Sequence, residues 1–454
     1  MAKLFGTDGM RGEAGRFPLD TATIRKVGSS LAAHLSEEAE GRAPLIVTGR
    51  DTRESGVWLE RALISGGTEA GARCQSAGVI TTPGVAFLAR TLPADAGVVI
   101  SASHNPYQDN GVKIFSPSGK KLADSIERLI ENDIFAAQED DAAVRQETPS
   151  ETDDSVAAHL RALYLEFLVN EIGRGLSLND LTIVIDCANG AASNLAPDLF
   201  SQLGARVIAI NNQPDGRNIN RDCGSLHIEG LQQRVRDEHA DLGVAFDGDA
   251  DRALFVDALG RFVDGDATLW VLAKYLSARG DFHEGIVVAT VMSNIGLEIA
   301  LRSRGLRLVR TDVGDKYVLD ELLRTGASLG GEQSGHLIFP RLSLAGDGMI
   351  TTLYLLRAIQ EEKARLDELT AGFQRYPQIL LNVRVHEKVP FSEIPSVEAI
   401  ARETQEKLGD RGRLLLRYSG TEPLARVMIE GESQNEIEAQ AQRLALAIKE
   451  SIGA

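Results

Sequence analysis

A chain of 454 residues has room for roughly three or four domains of ordinary size. With 43% hydrophobic and 25% charged residues, and no apolar run approaching the ~20 residues of a membrane helix, it reads as a globular protein with no membrane partner. A net charge of −17 argues against a nucleic-acid partner, which would demand a basic face, yet leaves room for a small anionic substrate, because distant surface charge is screened over ~8 Å. The opening Met1 to Asp8 lacks the apolar core of a signal peptide. Cys74, Cys187 and Cys223 are too few and too scattered for a disulfide framework or a zinc site, so the expected compartment is a reducing cytoplasm.

In chain order, the first feature is Gly6-Thr7-Asp8-Gly9-Met10-Arg11-Gly12, where three glycines let the backbone and the Arg11 guanidinium approach a ligand. A helix-like stretch from Leu59 to Gly71 then runs through Ala72-Arg73 into a strand. The same pattern returns at Ala196 to Gly204 with Ala205-Arg206, and at Leu297 to Gly305 with Leu306-Arg307. In each, glycine closes a helix and the next residues enter a buried strand, which predicts three related α/β units with largely parallel sheets. Gln138 to Asp154, rich in Glu, Asp, Ser and Thr, reads as a solvated connection. Leu181 to Ile185 opens the second unit, Gly243 to Phe246 ends it, and Leu254 to Val256 is expected to lead into the third. From about residue 372 the strands Ile379–Val385, Leu414–Leu416 and Val427–Ile429, with a helix from Glu436 to Ile452, predict a smaller α+β domain. The expected divisions are 1–153, 154–257, 258–371 and 372–454.

Four stretches carry chemistry. Ser101-Ala102-Ser103-His104-Asn105-Pro106 follows the apolar run Gly97 to Ile100, so Ser103 sits at a strand mouth where α/β enzymes place nucleophiles; an ordinary Ser/Asn/Pro turn is the plain alternative. Lys113 is close enough in sequence to share that loop. Asp247, Asp249 and Asp251 stand at i, i+2 and i+4, an all-oxygen set suited to Mg²⁺. An EF-hand is excluded, because its sixth position would be Arg252 rather than Gly and its twelfth Ala258 rather than Glu. Gly331-Glu332-Gln333-Ser334-Gly335-His336 supplies hydrogen-bonding groups for sugar hydroxyls, with His336 able to shuttle a proton. Arg417-Tyr418-Ser419-Gly420-Thr421-Glu422-Pro423, with Arg426, is an anion site of forked arginines, hydroxyls and exposed N–H groups. No Walker A sequence occurs. Nucleophile, metal, sugar loop and anion site together describe phosphoryl transfer on a phosphorylated sugar.

Ser101–Pro106, Asp247–Arg252, Glu332–His336 and Ser419–Pro423 resemble, in that order, the four signature loops of the α-D-phosphohexomutases, over a span from Gly6 to Gly431. Gln333, Gly420 with Glu422, the Pro214 to Asn220 run with Cys223-Gly224-Ser225, and Val291-Met292-Ser293-Asn294 resemble the bacterial branch acting on glucosamine phosphate. The resemblance implies three related α/β domains with mixed sheets and a smaller C-terminal α+β domain of TATA-box-binding-protein type around a central cleft. It implies that Ser103 is a phosphoserine and that Asp247, Asp249 and Asp251 bind one Mg²⁺ per subunit together with the phosphate on Ser103. It assigns Glu332 and Ser334 to sugar hydroxyls, and Arg417, Ser419, Gly420, Thr421 and Arg426 to the non-transferring phosphate. Arg11, Lys113, Arg252 and His336 would line the reacting centre, and His104 would support the loop or the phosphate. Two departures remove no ligand: Tyr418 stands where Pro is usual, and Met10 where Ile or Val is usual.

The implied activity interconverts glucosamine 6-phosphate and glucosamine 1-phosphate through phospho-Ser103 and a 1,6-bisphosphate intermediate, feeding UDP-N-acetylglucosamine synthesis. Lys113, His336 and Arg11 are the candidates for the general base. The implied partner is a small phosphosugar, and a homodimer is compatible with the sequence. Two rivals are a phosphosugar phosphatase, for which no dedicated water-activating base is evident, and a non-catalytic phosphosugar-binding protein, which would have no need of Ser103 and all three aspartates.

Overall fold

The computed structural model describes residues 3–6, 8–38, 41–139, 153–419 and 422–454. Most of the connection expected at 138–154 therefore lies outside the described residues, as do Thr7, Gly420 and Thr421. By internal contacts the chain forms two compact units, one of Met1–Val291 with Val309–Thr370, the other of Met292–Leu308 with Ala371–Ala454.

Four sheets are present among the described residues. The first contains β1 (Phe5–Gly6), β2 (Gly9–Glu13), β3 (Leu45–Arg50), β4 (Arg73–Val79), β5 (Ala96–Ile100) and β6 (Asp109–Phe115), in the order β1-β2-β6-β5-β3-β4. The second contains β7 (Thr182–Asp186), β8 (Arg206–Ile210), β9 (Leu242–Phe246), β10 (Ala253–Asp257) and β11 (Phe262–Val263), in the order β11-β10-β9-β7-β8. The third contains β12 (Ile286–Thr290), β13 (Arg307–Thr311), β14 (Leu329–Gly331) and β15 (Leu337–Ile338), in the order β13-β12-β14-β15. β16 (Gln378–Arg384), β17 (Arg413–Tyr418) and β18 (Leu424–Glu430) form an antiparallel sheet in the order β16-β18-β17.

The three larger sheets share a four-strand order: β6-β5-β3-β4, β10-β9-β7-β8 and β15-β14-β12-β13. The central strands are short, apolar and β-branched, and β5, β9 and β12 are buried along their whole length, as strands covered on both faces must be. The helix-glycine-strand repeat in the sequence marks the same edge strand each time. Helices Glu54–Glu69, Ala192–Gln202 and Ile295–Arg302 precede β4, β8 and β13. Gly71, Gly204 and Gly305 take left-handed φ of 92°, 97° and 73°, a turn that glycine makes without steric cost.

The sheets are mixed, as the family resemblance implies, and not largely parallel as the helix-glycine-strand pattern alone suggests: β5–β6, β9–β10 and β14–β15 pair antiparallel while β3–β5, β7–β9 and β12–β14 pair parallel. One further expectation changes. The stretch Leu254 to Val256 does not lead into the third sheet. It lies in β10, in register against β9, and β11 then pairs with β10. The physical reason is that the short acidic loop after Phe246 closes a hairpin rather than a crossover, and antiparallel neighbours need no intervening helix.

These three antiparallel connections carry the loops singled out in the sequence. Ser103 lies between β5 and β6, the three aspartates between β9 and β10, and Glu332 to His336 between β14 and β15. Behind the aspartate loop, helix Gly348–Glu362 starts with Gly348 N–H donating to Ala250 O at 3.1 Å. A side chain at Gly348 would meet Ala250 O at 3.0 Å and Arg252 O at 2.7 Å, so only glycine allows this approach. Asp347 caps the helix by accepting from Met349 N and Ile350 N at 2.9 and 3.0 Å, and it also accepts from the buried Tyr164 hydroxyl at 2.7 Å. Among the described residues no helix is long and apolar enough to cross a membrane.

Burial pushes the Asp347 carboxyl up to about 6. The folded protein then holds a proton there at pH values where the unfolded chain has lost it, so this group destabilises the fold as pH rises from the ordinary carboxylate range to about 6, and the penalty is constant above. Asp347→Asn keeps the cap without the charge. The melting temperature of the variant relative to wild type is expected to be more favourable at about pH 7.5 than at about pH 4; equal differences at the two pH values would contradict this.

Candidate active site

The chain leaves β5 at Ile100 and turns at once, with Ser103 at φ 52° in the left-handed region that few non-glycine residues adopt. Ser103 is 1% exposed. Its Oγ donates to Asp247 Oδ2 at 2.5 Å and lies 3.4 Å from His104 Nδ1. Burial, followed by the charges of Arg252 and Arg11, pushes the His104 imidazole down to about 4, so it is neutral near pH 7.

Opposite the serine, the β9–β10 hairpin turns through Ala250 at φ 57° and brings carboxylate oxygens of Asp247, Asp249 and Asp251 within 4.8 Å of one another, all three residues buried. Burial and the two neighbouring carboxylates push the Asp247 carboxyl well above its ordinary range. Lys113 Nζ, on β6 and itself buried, reaches Asp249 Oδ2 at 2.9 Å, Asp251 Oδ2 at 3.3 Å and Asp8 Oδ2 at 3.2 Å. Desolvation opposes the lysine charge, but the three carboxylates outweigh it and hold Lys113 firmly protonated. Asp249 also accepts from Thr82 Oγ1 at 2.5 Å and is driven below the ordinary range despite its burial, with Lys113 the main counterforce. Asp249 Oδ1 and Asp251 Oδ1 are buried with no hydrogen-bond partner. Orphaned oxygens on converging carboxylates are a hard-cation donor set, and the residues fit Mg²⁺.

A cavity of ≈ 450 Å³ opens beside this cluster, with Arg11, His104, Arg252, Glu332 and His336 among its lining. Glu332 accepts from Gly314 N–H and from Ser334 Oγ, both at 3.2 Å. Gln333 donates to the buried Asp266 at 3.1 Å, which docks the loop on the start of helix Gly265–Ala278. His336 Nδ1 is buried without a partner, and Nε2 lies 4.0 Å from Asp251 and 3.9 Å from Asp315. Ser103, Lys113, Arg11, His104, Arg252, the aspartates, Glu332, Ser334 and His336 thus belong to one unit and cluster around or beside the cavity.

Three participants were missed in the sequence. Asp8 receives Arg11, Lys121 and Lys113, and Asp315 receives Lys121 at 2.5 Å. The glycines around Asp8 were a usable signal for it. Nothing local marks Asp315 or Lys121, since only the tertiary fold pairs them.

The arginine site stands in the second unit. Arg417 on β17 is the direct cross-strand partner of Arg426 on β18, and Arg426 Nη2 lies 3.6 Å from Glu422 Oε2. Arg426 Nη2 lies 3.5 Å from the Oγ of buried Ser419, and its Nε is buried without a partner. Gly420 and Thr421 lie outside the described residues. Tyr418 stiffens the strand end, its ring stacked on Phe391 at 4.4 Å and its hydroxyl donating to Val389 O at 2.5 Å. Lys388, another residue missed in the sequence, donates to Ser419 O at 2.6 Å. Met10 is fully buried in the core beneath the first sheet, a role its usual Ile or Val would also fill.

Comparison with known proteins covers nearly all of this chain. Residues 2–141, 162–260 and 264–376 match the phosphoglucomutase/phosphomannomutase alpha/beta/alpha domains I, II and III, and 380–447 match the C-terminal domain of the same family. Phosphoglucosamine mutase of Solibacter usitatus is 49% identical over the whole of both chains, and that of Caldicellulosiruptor bescii 45% identical over 99% of each. Among solved structures, a phosphoglucomutase/phosphomannomutase family protein of Burkholderia thailandensis superposes with a TM-score of 0.79 at 23% identity, covering 100% of this chain and 99% of the other. An N-acetylphosphoglucosamine mutase of Aspergillus fumigatus, solved in complex with GlcNAc-6P and magnesium, superposes at 0.62 and 19% identity, covering 98% of this chain and 95% of the other. These two structures share the fold. Matches that run from residue 2 to 447 in domain order, with full-length relatives near half identical, make the chain a member of the phosphoglucomutase/phosphomannomutase family and, within it, of the phosphoglucosamine mutases.

Proposed function

We propose that this chain interconverts glucosamine 6-phosphate and glucosamine 1-phosphate through phospho-Ser103 and a glucosamine 1,6-bisphosphate intermediate, supplying UDP-N-acetylglucosamine synthesis in the cytoplasm. The observation that carries the reading is the Ser103 hydroxyl at 2.5 Å from Asp247, inside a buried cluster of three carboxylates and beside a cavity that Arg11 and Arg252 help to line. The four-part division at about 153, 257 and 371, and a homodimeric state, belong to the same reading.

In the forward half-reaction the P–O bond to Ser103 breaks as a new P–O bond forms to the free sugar hydroxyl. The bisphosphate then turns over, and its other phosphoryl group returns to Ser103. Asp247, Asp249 and Asp251, with the phosphate on Ser103, would hold one Mg²⁺, whose bound charge offsets that spread over the transferring oxygens. Lys113, held protonated, donates to those oxygens, and Arg11 and Arg252 add further positive charge. His336, on the cavity lining, takes the proton from the attacking hydroxyl and later returns it. Neutral His104 supports the loop and hydrogen-bonds the phosphoserine. Glu332 and Ser334 orient the sugar hydroxyls. Arg417, Ser419, Gly420, Thr421 and Arg426 bind the phosphate that is not in transfer, at either end of the sugar.

Ser103→Ala is expected to abolish turnover of glucosamine 6-phosphate. Retained mutase activity would end the proposal. Wild-type phosphoprotein should turn over glucosamine phosphate in preference to glucose or mannose phosphate without release of inorganic phosphate; release matching substrate loss would instead favour a phosphatase. Replacing Asp249 by Asn removes one of three charges that meet the cation. The Mg²⁺ concentration for half-maximal activity should rise by at least about tenfold, and an unchanged requirement would place the metal elsewhere. His336→Ala should lower kcat by roughly 10²-fold or more, while a loss confined to KM would remove it from proton transfer.

A further inference from the structure

The run Pro214 to Asn220 with Cys223 to Ser225 has no part in the chemistry described so far, and neither has the buried Arg53. Both converge on the backbone of Ser103. We infer that Asn220 and Arg53 are positioning residues that clamp Ser103 from two sides, so that one serine can give a phosphoryl group and take one back in the same geometry. The inference rests on the mutase reading.

The clamp is closed at both ends of the residue. On the carbonyl side, Asn220 Nδ2 donates to Ser103 O at 2.9 Å and to Asn105 O at 3.1 Å. Arg53 Nη2 donates to the same two carbonyls at 2.8 and 2.9 Å, and Nη1 to Pro106 O at 2.7 Å. Arg53 is 1% exposed, and its charge is balanced by the equally buried Asp51, which accepts from Nε at 2.9 Å. On the amide side, Asp51 Oδ2 accepts from Ser101 Oγ at 2.6 Å, and that hydroxyl oxygen accepts the Ser103 N–H at 2.9 Å. The circuit Arg53–Asp51–Ser101 therefore starts and ends on one residue.

What it holds is a strained one. Ser103 at φ 52° keeps its left-handed conformation only where its surroundings over-determine it, and here N–H and C=O are both fixed. Asn220 is also left-handed, at φ 57°, with its N–H donating to Ala188 O at 2.9 Å, so the loop presents its side chain rather than its backbone. The aspartate hairpin closes over the same point. A side chain at Gly248 would meet Ser103 O at 2.5 Å and Asn220 Nδ2 at 2.9 Å. Serine carbonyl, asparagine amide and metal-loop backbone are packed as one object, which ties the Oγ to Asp247. In-line displacement is sensitive to such placement, and this serine is leaving group in one half-reaction and nucleophile in the other.

A brace between the Pro214 to Asn220 run and the start of helix Glu54–Glu69 exists apart from the clamp and supplies the control. Arg217 Nε pairs with Glu54 at 2.7 Å, and Glu54 N–H donates to Gly216 O at 3.0 Å, both at the exposed surface. The experiment uses the full chain with Asn220→Ala, Asn220→Asp, Arg53→Lys and Arg217→Ala. It reads kcat and KM for glucosamine 6-phosphate, and the rate at which glucose 1,6-bisphosphate phosphorylates Ser103, followed by intact mass. Both Asn220 variants should lose roughly 10²-fold in kcat with KM nearly unchanged, and should phosphorylate Ser103 correspondingly slowly. Asn220→Asp is the sharper of the two, because it keeps the shape and loses both donors. Arg53→Lys, a point charge that cannot fork to three carbonyls, should behave alike if it folds. Arg217→Ala should stay within about twofold of wild type. Asn220 variants that match wild type in kcat and in phosphorylation rate would overturn the inference, as would an equal loss in Arg217→Ala. Wild type that fails to turn over glucosamine 6-phosphate would sink the mutase reading instead, and the Ser103 phosphorylation rates would still decide this one.

Discussion

Three buried carboxylates within 4.8 Å of one another are held together here with one fully buried lysine among them, and most of the first unit is arranged around that charge imbalance. Asp249 and Asp251 share Lys113, which also meets Asp8, and Asp8 in turn gathers Arg11 and Lys121. Asp247, the carboxylate without a lysine, receives the Ser103 hydroxyl and has its carboxyl pushed upward. Buried like charges cost more than they return unless something of opposite sign joins them, and a divalent cation is the group that these three carboxylates fit.

The fold delivers these groups by repetition. Three sheets share a strand order, and in each the connection from an inner parallel strand to its antiparallel neighbour carries one working loop: serine, aspartates, then the glutamate and histidine. The equivalence explains how three loops 80 residues or more apart in the chain come to occupy corresponding places in their sheets. Each follows the carboxyl end of an inner strand of its sheet, the position at which α/β sheets place their ligands. The second unit answers a different need. Its antiparallel β17–β18 pair sets Arg417 opposite Arg426, an arrangement suited to gripping a phosphate without reacting with it.

Much of this was legible because it was local. Helix-Gly-Ala/Leu-Arg-strand repeats announced the three edge strands, since a glycine with left-handed φ is what a tight helix exit requires. The spacing of Asp247, Asp249 and Asp251 announced carboxylates that point the same way, and their oxygens lie within 4.8 Å of one another. The parts that were not legible depend on pairing across the chain. Leu254 to Val256 looked like the start of a new unit because an apolar run carries no sign of its partner's direction, and its antiparallel register against β9 decided the matter. Asp315 and Lys121 are 194 residues apart. Arg53 carries no local sign that its guanidinium is buried under three carbonyls of the serine loop.

A single turnover tests most directly whether Ser103 is a phosphate carrier. Protein carrying an isotopically labelled phosphate on Ser103 is mixed with a stoichiometric amount of unlabelled glucosamine 6-phosphate, and the label is followed by mass on both partners. Passage of the label into glucosamine 1,6-bisphosphate and then glucosamine 1-phosphate, while unlabelled phosphate returns to Ser103, is the expected result. Label released as inorganic phosphate, or sugar turnover while Ser103 keeps its labelled phosphate, would contradict it.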